Sequence, residues 1–149
     1  DETVKGMNAG AALSTLMADI QLPAELEVGE GYGKVSWSVR AIWENYAGWF
    51  KHESTTELYA QPRSVVNSDL IELAGGAERI VARAQEKLAN RQYIEALHLL
   101  DIVLPTHRQL PDAVLAAIAA HEGLLQDSTN FWLSSWLQNQ IKLLRAQAA

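Results

Sequence analysis

The sequence predicts an all-α fold, and three observations carry that expectation. Apolar residues recur at helical spacing in several stretches, most clearly Ile80, Val81, Ala84 and Leu88 in AERIVARAQEKLAN. No stretch alternates with period two for more than a few residues, and only SVV at 64–66 is locally strand-like. Proline and glycine fall between the periodic stretches, at Pro23, Pro62, Gly75, Gly76 and Pro111, rather than inside them.

Taken in chain order, the first helix is expected over residues 8–20, where Leu13, Leu16, Met17 and Ile20 recur at helical spacing and Pro23 supplies the stop. Residues 24–33, AELEVGEGYG, read as a linker, because Gly29, Gly31 and Gly33 favour backbone angles that helices and strands avoid. A second helix is expected over residues 34–51, followed by a loop punctuated by Pro62. SDLIELAGG then opens a short helix with Ser68 as N-cap and Asp69 in the first turn, where the helix dipole favours negative charge. Gly75 and Gly76 separate it from the helix at 77–90. RQYIEALHLLDIVLP continues the helical period through Tyr93, Ala96, Leu97, Leu100, Val103 and Leu104, so the two form an antiparallel hairpin.

Pro111 opens PDAVLAAIAAHEGLLQD at a first-turn position, where its missing N–H costs nothing. NFWLSSWLQNQIKLLRAQ is the last helix, with Phe131, Trp132, Trp136 and Leu137 at helical spacing; Trp132 and Trp136 are expected to make ordinary core contacts. Ala84, Tyr93, Ala96 and Leu100 reproduce part of a tetratricopeptide pattern, echoed weakly by residues 111–127. The expected architecture is antiparallel helix hairpins with tetratricopeptide-like stacking. It forms a single helical domain over 1–149, with an N-terminal helix and linker in 1–30 and the helical core in 31–149.

A chain of 149 residues can bury a real core, and 48% hydrophobic with 20% charged residues is the balance of an ordinary globular protein. A net charge of -6 with scattered basic residues argues against nucleic-acid and anionic-membrane surfaces, which need clustered Lys and Arg. The longest apolar run, AVLAAIAA at 113–120, is too short to span a membrane. With no cysteine there is neither a disulfide framework nor a thiolate metal site, and the compartment stays open, cytoplasmic or periplasmic. The start, DETVKGMNAG, has no basic leader region, so no signal peptide is read there; the chain is a processed product or a segment of something larger.

The densest information lies in GYGKVSWSVRAIWENYAGWF, residues 31–50, which holds three of the five tryptophans and two of the four tyrosines. With about 100 degrees per residue, Val35, Val39, Ile42, Trp43, Tyr46, Trp49 and Phe50 fall on a stripe roughly 120 degrees wide, the expected core face. Trp37, Ala41 and Gly48 lie opposite. Either Trp37 is simply half exposed, as tryptophan often is, or this second face packs on another subunit or domain.

Chemistry-bearing patterns are sparse. His52, His98, His107 and His121 form no HxH or HExxH pattern, so no metal site is expected in this chain. GEGYGKV lacks the strand and the GKS or GKT ending of a phosphate loop, and there is no GxSxG elbow. Arg40 stands at the border between the two faces of its helix. Its planar guanidinium suits a bidentate oxyanion such as sulfate, phosphate or carboxylate, or else a salt bridge to Glu44 one turn on.

Residues YGKVSWSVRAIWENYAGWF and LAGGAERIVARAQEKLANRQYIEALHLLDIVL together resemble the dimerisation domain of alkyl sulfatases, enzymes of the metallo-β-lactamase superfamily. The likeness covers about residues 8–145 through the YG before the helix, VRA, GWF, AGGA, EAL and LLD. It implies an all-α domain that follows a zinc-hydrolase domain and wraps around a second subunit, giving a homodimer. It also implies two zinc ions held by the hydrolase domain outside this chain, where zinc-bound water attacks a sulfate ester, and no cofactor in the chain itself. The family segment SHNVRA, near the sulfate pocket, corresponds to Ser36–Ala41. Trp37 and Ser38 replace its His and Asn, which leaves another ester substrate open, while Arg40 is retained as the anion-binding candidate. Trp37, Ala41 and Gly48 become interface candidates, facing the hydrolase domain or the partner subunit.

The competing reading is a free-standing tetratricopeptide-like module that binds a peptide, supported by the pattern around Tyr93 and Leu100. Catalysis by this chain alone has no identifiable set of residues behind it.

Overall fold

A computed structural model describes residues 1–148. Among them are eight α-helices joined by turns and 3-10 segments, and no strand, so the chain is all-α. It divides into two compact units, Asp1–Gln61 with Thr129–Phe131, and Pro62–Ser128 with the chain from Trp132 on.

The first unit contains α1 (Glu2–Asn8), α2 (Leu13–Asp19) and α3 (Val35–Ala47). Of the span expected as helix over 8–20, α2 forms only from Leu13, and α1 precedes it in residues for which no helix was expected. Glu2 in the first turn and Lys5 in the last suit the dipole of α1. Gly10, at φ 77°, breaks the chain before α2 begins. Gly6 lies against α2, where a Cβ would overlap the Leu16 side chain.

Leu13, Leu16, Val39 and Trp43 are the buried core of this unit, with Met7, Met17, Ile20, Val35 and Ala47 packed around them. The stripe expected on α3 is thus buried in part: Val39 and Trp43 are inside and Val35 is packed against them, while Ile42, Tyr46 and Trp49 are exposed. The cover is narrow: α1 and α2 meet α3 along the single line of Val35, Val39, Trp43 and Ala47, one residue every four, and the side chains to one side of that line stay in solvent. The helix also stops at Ala47, four residues before the expected end, because Gly48 takes φ 72° and ψ -154°, a conformation essentially restricted to glycine. Trp49 and Phe50 therefore lie beyond the helix.

The second unit begins with a 3-10 turn at Arg63–Val66, so the strand-like SVV is helical in character, and continues into α4 (Asn67–Leu73). Ser68 sits inside this helix, with Val66 at the cap position. The buried Asn67 carries the polar anchor instead, its Nδ2 donating to the Asp101 carbonyl at 3.2 Å. After Gly75 and Gly76 come α5 (Ala77–Ala89), α6 (Tyr93–Val103), α7 (Pro111–Gln126) and α8 (Phe131–Ala148), the last counted here from its second residue.

Three residues link α5 to α6, and the two pack along each other, which makes the pair antiparallel. Ala84, Ala96, Ala113 and Ala117 are fully buried where α5, α6 and α7 meet, beside Leu100 and Val103. Alanines at these positions let the helices approach closely, and the larger side chains fill the space between. Val114, Ile118 and Ile141 form a second cluster that ties α8 to α7. The expected core contacts of Trp132 and Trp136 do not form within this unit: both are exposed, and Leu137 and Ile141 are the buried side of α8.

Gly123, buried in α7, lies directly under the Tyr93 ring, which a Cβ would overlap. Gly123→Ala gains about 1 kcal/mol of helix propensity but overpacks the site at a cost of about 1–3 kcal/mol. Urea unfolding should show net destabilisation. In a double-mutant cycle, Gly123→Ala should cost less when Tyr93 is already alanine.

Candidate functional site

The residues singled out by sequence lie along α3 and the turn that feeds it. That turn is built by polar contacts inside the first unit. Asn130, only 2% exposed, donates from Nδ2 to the carbonyls of Glu30 at 2.6 Å and Gly33 at 3.1 Å. Next to it the Phe131 N–H donates to the Gly31 carbonyl at 2.7 Å, and the Tyr32 and Phe131 rings meet at 5.7 Å. Glu30 in turn accepts the Val35 N–H at 2.8 Å, placing a carboxylate on the first residue of α3, where the dipole favours it.

Beside this helix start is a cleft of about 740 Å³, lined by Met17, Ile20, Leu22, Val28, Lys34 and Ser38 among others. Its lining mixes apolar residues with Lys34, with Glu27 and Glu30, and with Ser36 and Ser38. Ser38 Oγ donates back to the Lys34 carbonyl at 3.4 Å.

Arg40 follows on α3 as an exposed residue. Water is not excluded around it in this chain, contrary to the expectation from its aromatic neighbours, because Trp37, Tyr46 and Trp49 are themselves exposed. Among the described residues it makes no ion pair, and the salt bridge to Glu44 is absent. Its guanidinium is left with all its donors available to an oxyanion. Trp37 is 38% exposed, and Ala41 and Gly48 are exposed beside it. A Cβ on Gly48 would meet nothing within 4 Å, so within this chain its glycine identity answers to the backbone turn.

Past the helix, Phe50 stacks at 4.3 Å on His52, and Glu57 accepts the Lys51 N–H at 2.8 Å, which fixes the exit of the aromatic segment. Among the described residues no three His, Asp or Glu side chains come together as a metal site. The carboxyl of Glu2, held below the usual carboxylate range by its hydrogen bond and charge contact with Lys5, lies away from this region on α1. No helix among the described residues is long and apolar enough to cross a membrane.

Sequence reasoning missed Asn130 and Glu30. Asn130 precedes the apolar run of α8 and reads in sequence as an ordinary N-cap. Its partners are about a hundred positions away, beyond the reach of any local pattern.

An all-α module with a surface-exposed aromatic helix is what the fold defines. Residues 13–146 match the alkyl sulfatase dimerisation family, and the chain belongs to it. Among curated relatives, the linear primary-alkylsulfatase of a Pseudomonas species is 34% identical over 89 residues, 56% of this chain and 17% of that protein. The alkyl/aryl-sulfatase BDS1 of Saccharomyces cerevisiae is 23% identical over 150 positions, 96% of this chain and 23% of that protein. A solved structure of a double mutant of the sec-alkyl sulfatase PisA1 superposes with a TM-score of 0.89 at 22% identity, over 99% of this chain and 24% of that one. The stereoselective inverting sec-alkylsulfatase Pisa1 from Pseudomonas gives 0.84 at 22% identity, over 96% and 23%. The chain thus spans less than a quarter of the length of these relatives.

Removing the Asn130 amide unfastens the turn before α3. Asn130→Ala should cost about 1–3 kcal/mol, the loss of two hydrogen bonds made by a buried amide. Hydrogen exchange should show faster opening of the Phe131 and Val35 amides.

Proposed function

We propose that this chain is the dimerisation domain of a sulfate-ester hydrolase of the metallo-β-lactamase superfamily, and that α3 helps complete that enzyme's active site. The observation that carries the reading is the family match over residues 13–146, which runs through both compact units. The two units then serve as one dimerisation domain. Its partners are a second copy of the protein and the hydrolase domain that the longer relatives leave room for.

In this reading the flank of α3 that carries Trp37 and Ala41, with Gly48 just past the end of the helix, faces the hydrolase domain, either of its own subunit or of the partner. Covering it would bury the indole and bring Arg40 into surroundings from which water is excluded, where a guanidinium binds a sulfate oxyanion far more strongly than in open solvent. The pair of zinc ions implied for the hydrolase domain finds no holder among the described residues of this chain, so no step here runs through them. Trp37, where the family segment carries a polar residue, would shift the ester substrate toward one with a larger apolar part.

Tetratricopeptide-like stacking of the α5–α6 pair onto α7 belongs to the same proposal. The burial of Ala84, Ala96 and Leu100, and the seating of Tyr93 on Gly123, support it.

Light scattering after size exclusion should give twice the chain mass for this protein. A monomer at concentrations well above a micromolar Kd would overturn the dimer. In the full-length enzyme, Arg40→Ala should lower kcat/KM for an alkyl sulfate about 10- to 100-fold, the worth of a charge-assisted hydrogen bond of about 1.5–3 kcal/mol, with Arg40→Lys partly retaining it. Unchanged turnover would remove Arg40 from the site.

A further inference from the structure

In the proposed function α8 has no role. Its buried side is Leu137 and Ile141, with Leu144 half-buried beside them. At about 100 degrees per residue, Trp132, Trp136, Asn139 and Leu143 fall on a second line roughly 60 degrees wide, well separated from that buried side. The spacings along it are four, three and four, those of a seam between two packed helices.

The line is open. Trp132 is 59% exposed, Trp136 61% and Leu143 49%, and Asn139 is exposed between them. The helix carries no acidic residue, and its two cations, Lys142 and Arg145, lie off the line on the polar side.

We infer that this line is the seam on which α8 pairs antiparallel with α8 of a second copy of this chain. A two-fold axis close to Asn139 sets Trp136 against Leu143 of the second copy and Trp132 against Ala146 of the second copy, large side chains against smaller apolar ones. Asn139 meets its own equivalent, and a carboxamide can donate and accept reciprocally. Such an interface must be self-complementary. A line without charges meets that requirement, because the axis brings no like charges together along it.

The match to a dimerisation family runs through the whole seam, which favours a second copy over an unrelated protein. The exposed parts of Trp132, Trp136 and Leu143 amount to about 300–400 Å² per copy, some half of the ~800 Å² per partner of a standard stable interface. The seam is therefore one part of a larger contact. The inference rests on the dimer proposed above.

The absence of native cysteine makes the test direct. Under mild oxidation Asn139→Cys should yield a disulfide-linked dimer on a non-reducing gel, since residues beside the axis bring their Cα atoms within the ~7 Å a disulfide can span. Gln138→Cys, on the polar side, should stay uncrosslinked. Trp136→Glu should weaken dimerisation at least tenfold by sedimentation velocity, with its helical circular dichroism unchanged. If the unmodified chain is a dimer but Asn139→Cys crosslinks no better than Gln138→Cys, the inference alone fails. Wild-type affinity in Trp136→Glu would defeat it equally. An unmodified chain that stays monomeric overturns the dimer reading and the seam together.

Discussion

The first unit is governed by a narrow cover: two helices of seven residues meet one aromatic-rich helix of thirteen along the single line of Val35, Val39, Trp43 and Ala47. The cover closes over Val39 and Trp43 and leaves Ile42, Tyr46 and Trp49 in water. Each exposed indole forgoes the roughly 25 cal/mol per Å² that burial of its apolar surface would contribute. Exposed apolar surface of this kind on a helix is the ground for the proposal that another protein covers it. The proposed docking of the hydrolase domain on α3 follows from that surplus and from the position of Arg40 within it.

The second unit is self-sufficient along α5, α6 and α7. Alanines at the helix crossings allow close approach, and Leu100, Val103 and the Tyr93 ring occupy the space that remains. In such a close-packed interior a single added methyl group is felt. That rigidity suits a platform from which α8 presents its exposed tryptophans. The two units therefore have different physical characters: one is tightly closed around small residues, and the other is left partly uncovered around large ones.

Polar contacts do the positioning. Asn130 and the Phe131 amide fasten the glycine-rich turn at 30–33, and Glu30 passes that constraint to the first residue of α3. The glycines leave the turn conformationally free in an unfolded chain, so its geometry depends on these long-range bonds. Lys34, Ser38 and Arg40 take their places from the start of the helix, and hence from an asparagine about a hundred residues downstream.

Much of the architecture was legible in the sequence. Helical periodicity located α5 through α8 and their hairpin, and prolines and glycines marked the breaks, because these signals act within a few residues of one another. The family resemblance was legible for a related reason, as it rests on words such as VRA and EAL that read the same in any context. Local pattern misled where burial depends on what lies across from a helix. The stripe through Tyr46 and Trp49 has core periodicity with no cover. Trp132 and Trp136 have the spacing of core residues but lie off the buried side. The residues by themselves determined that the chain is helical and where most helices begin and end. Only the tertiary structure decided which apolar faces are inside, which stay exposed, and that Asn130 holds the turn before α3, since burial and long-range hydrogen bonding belong to pairs of segments and not to either one alone.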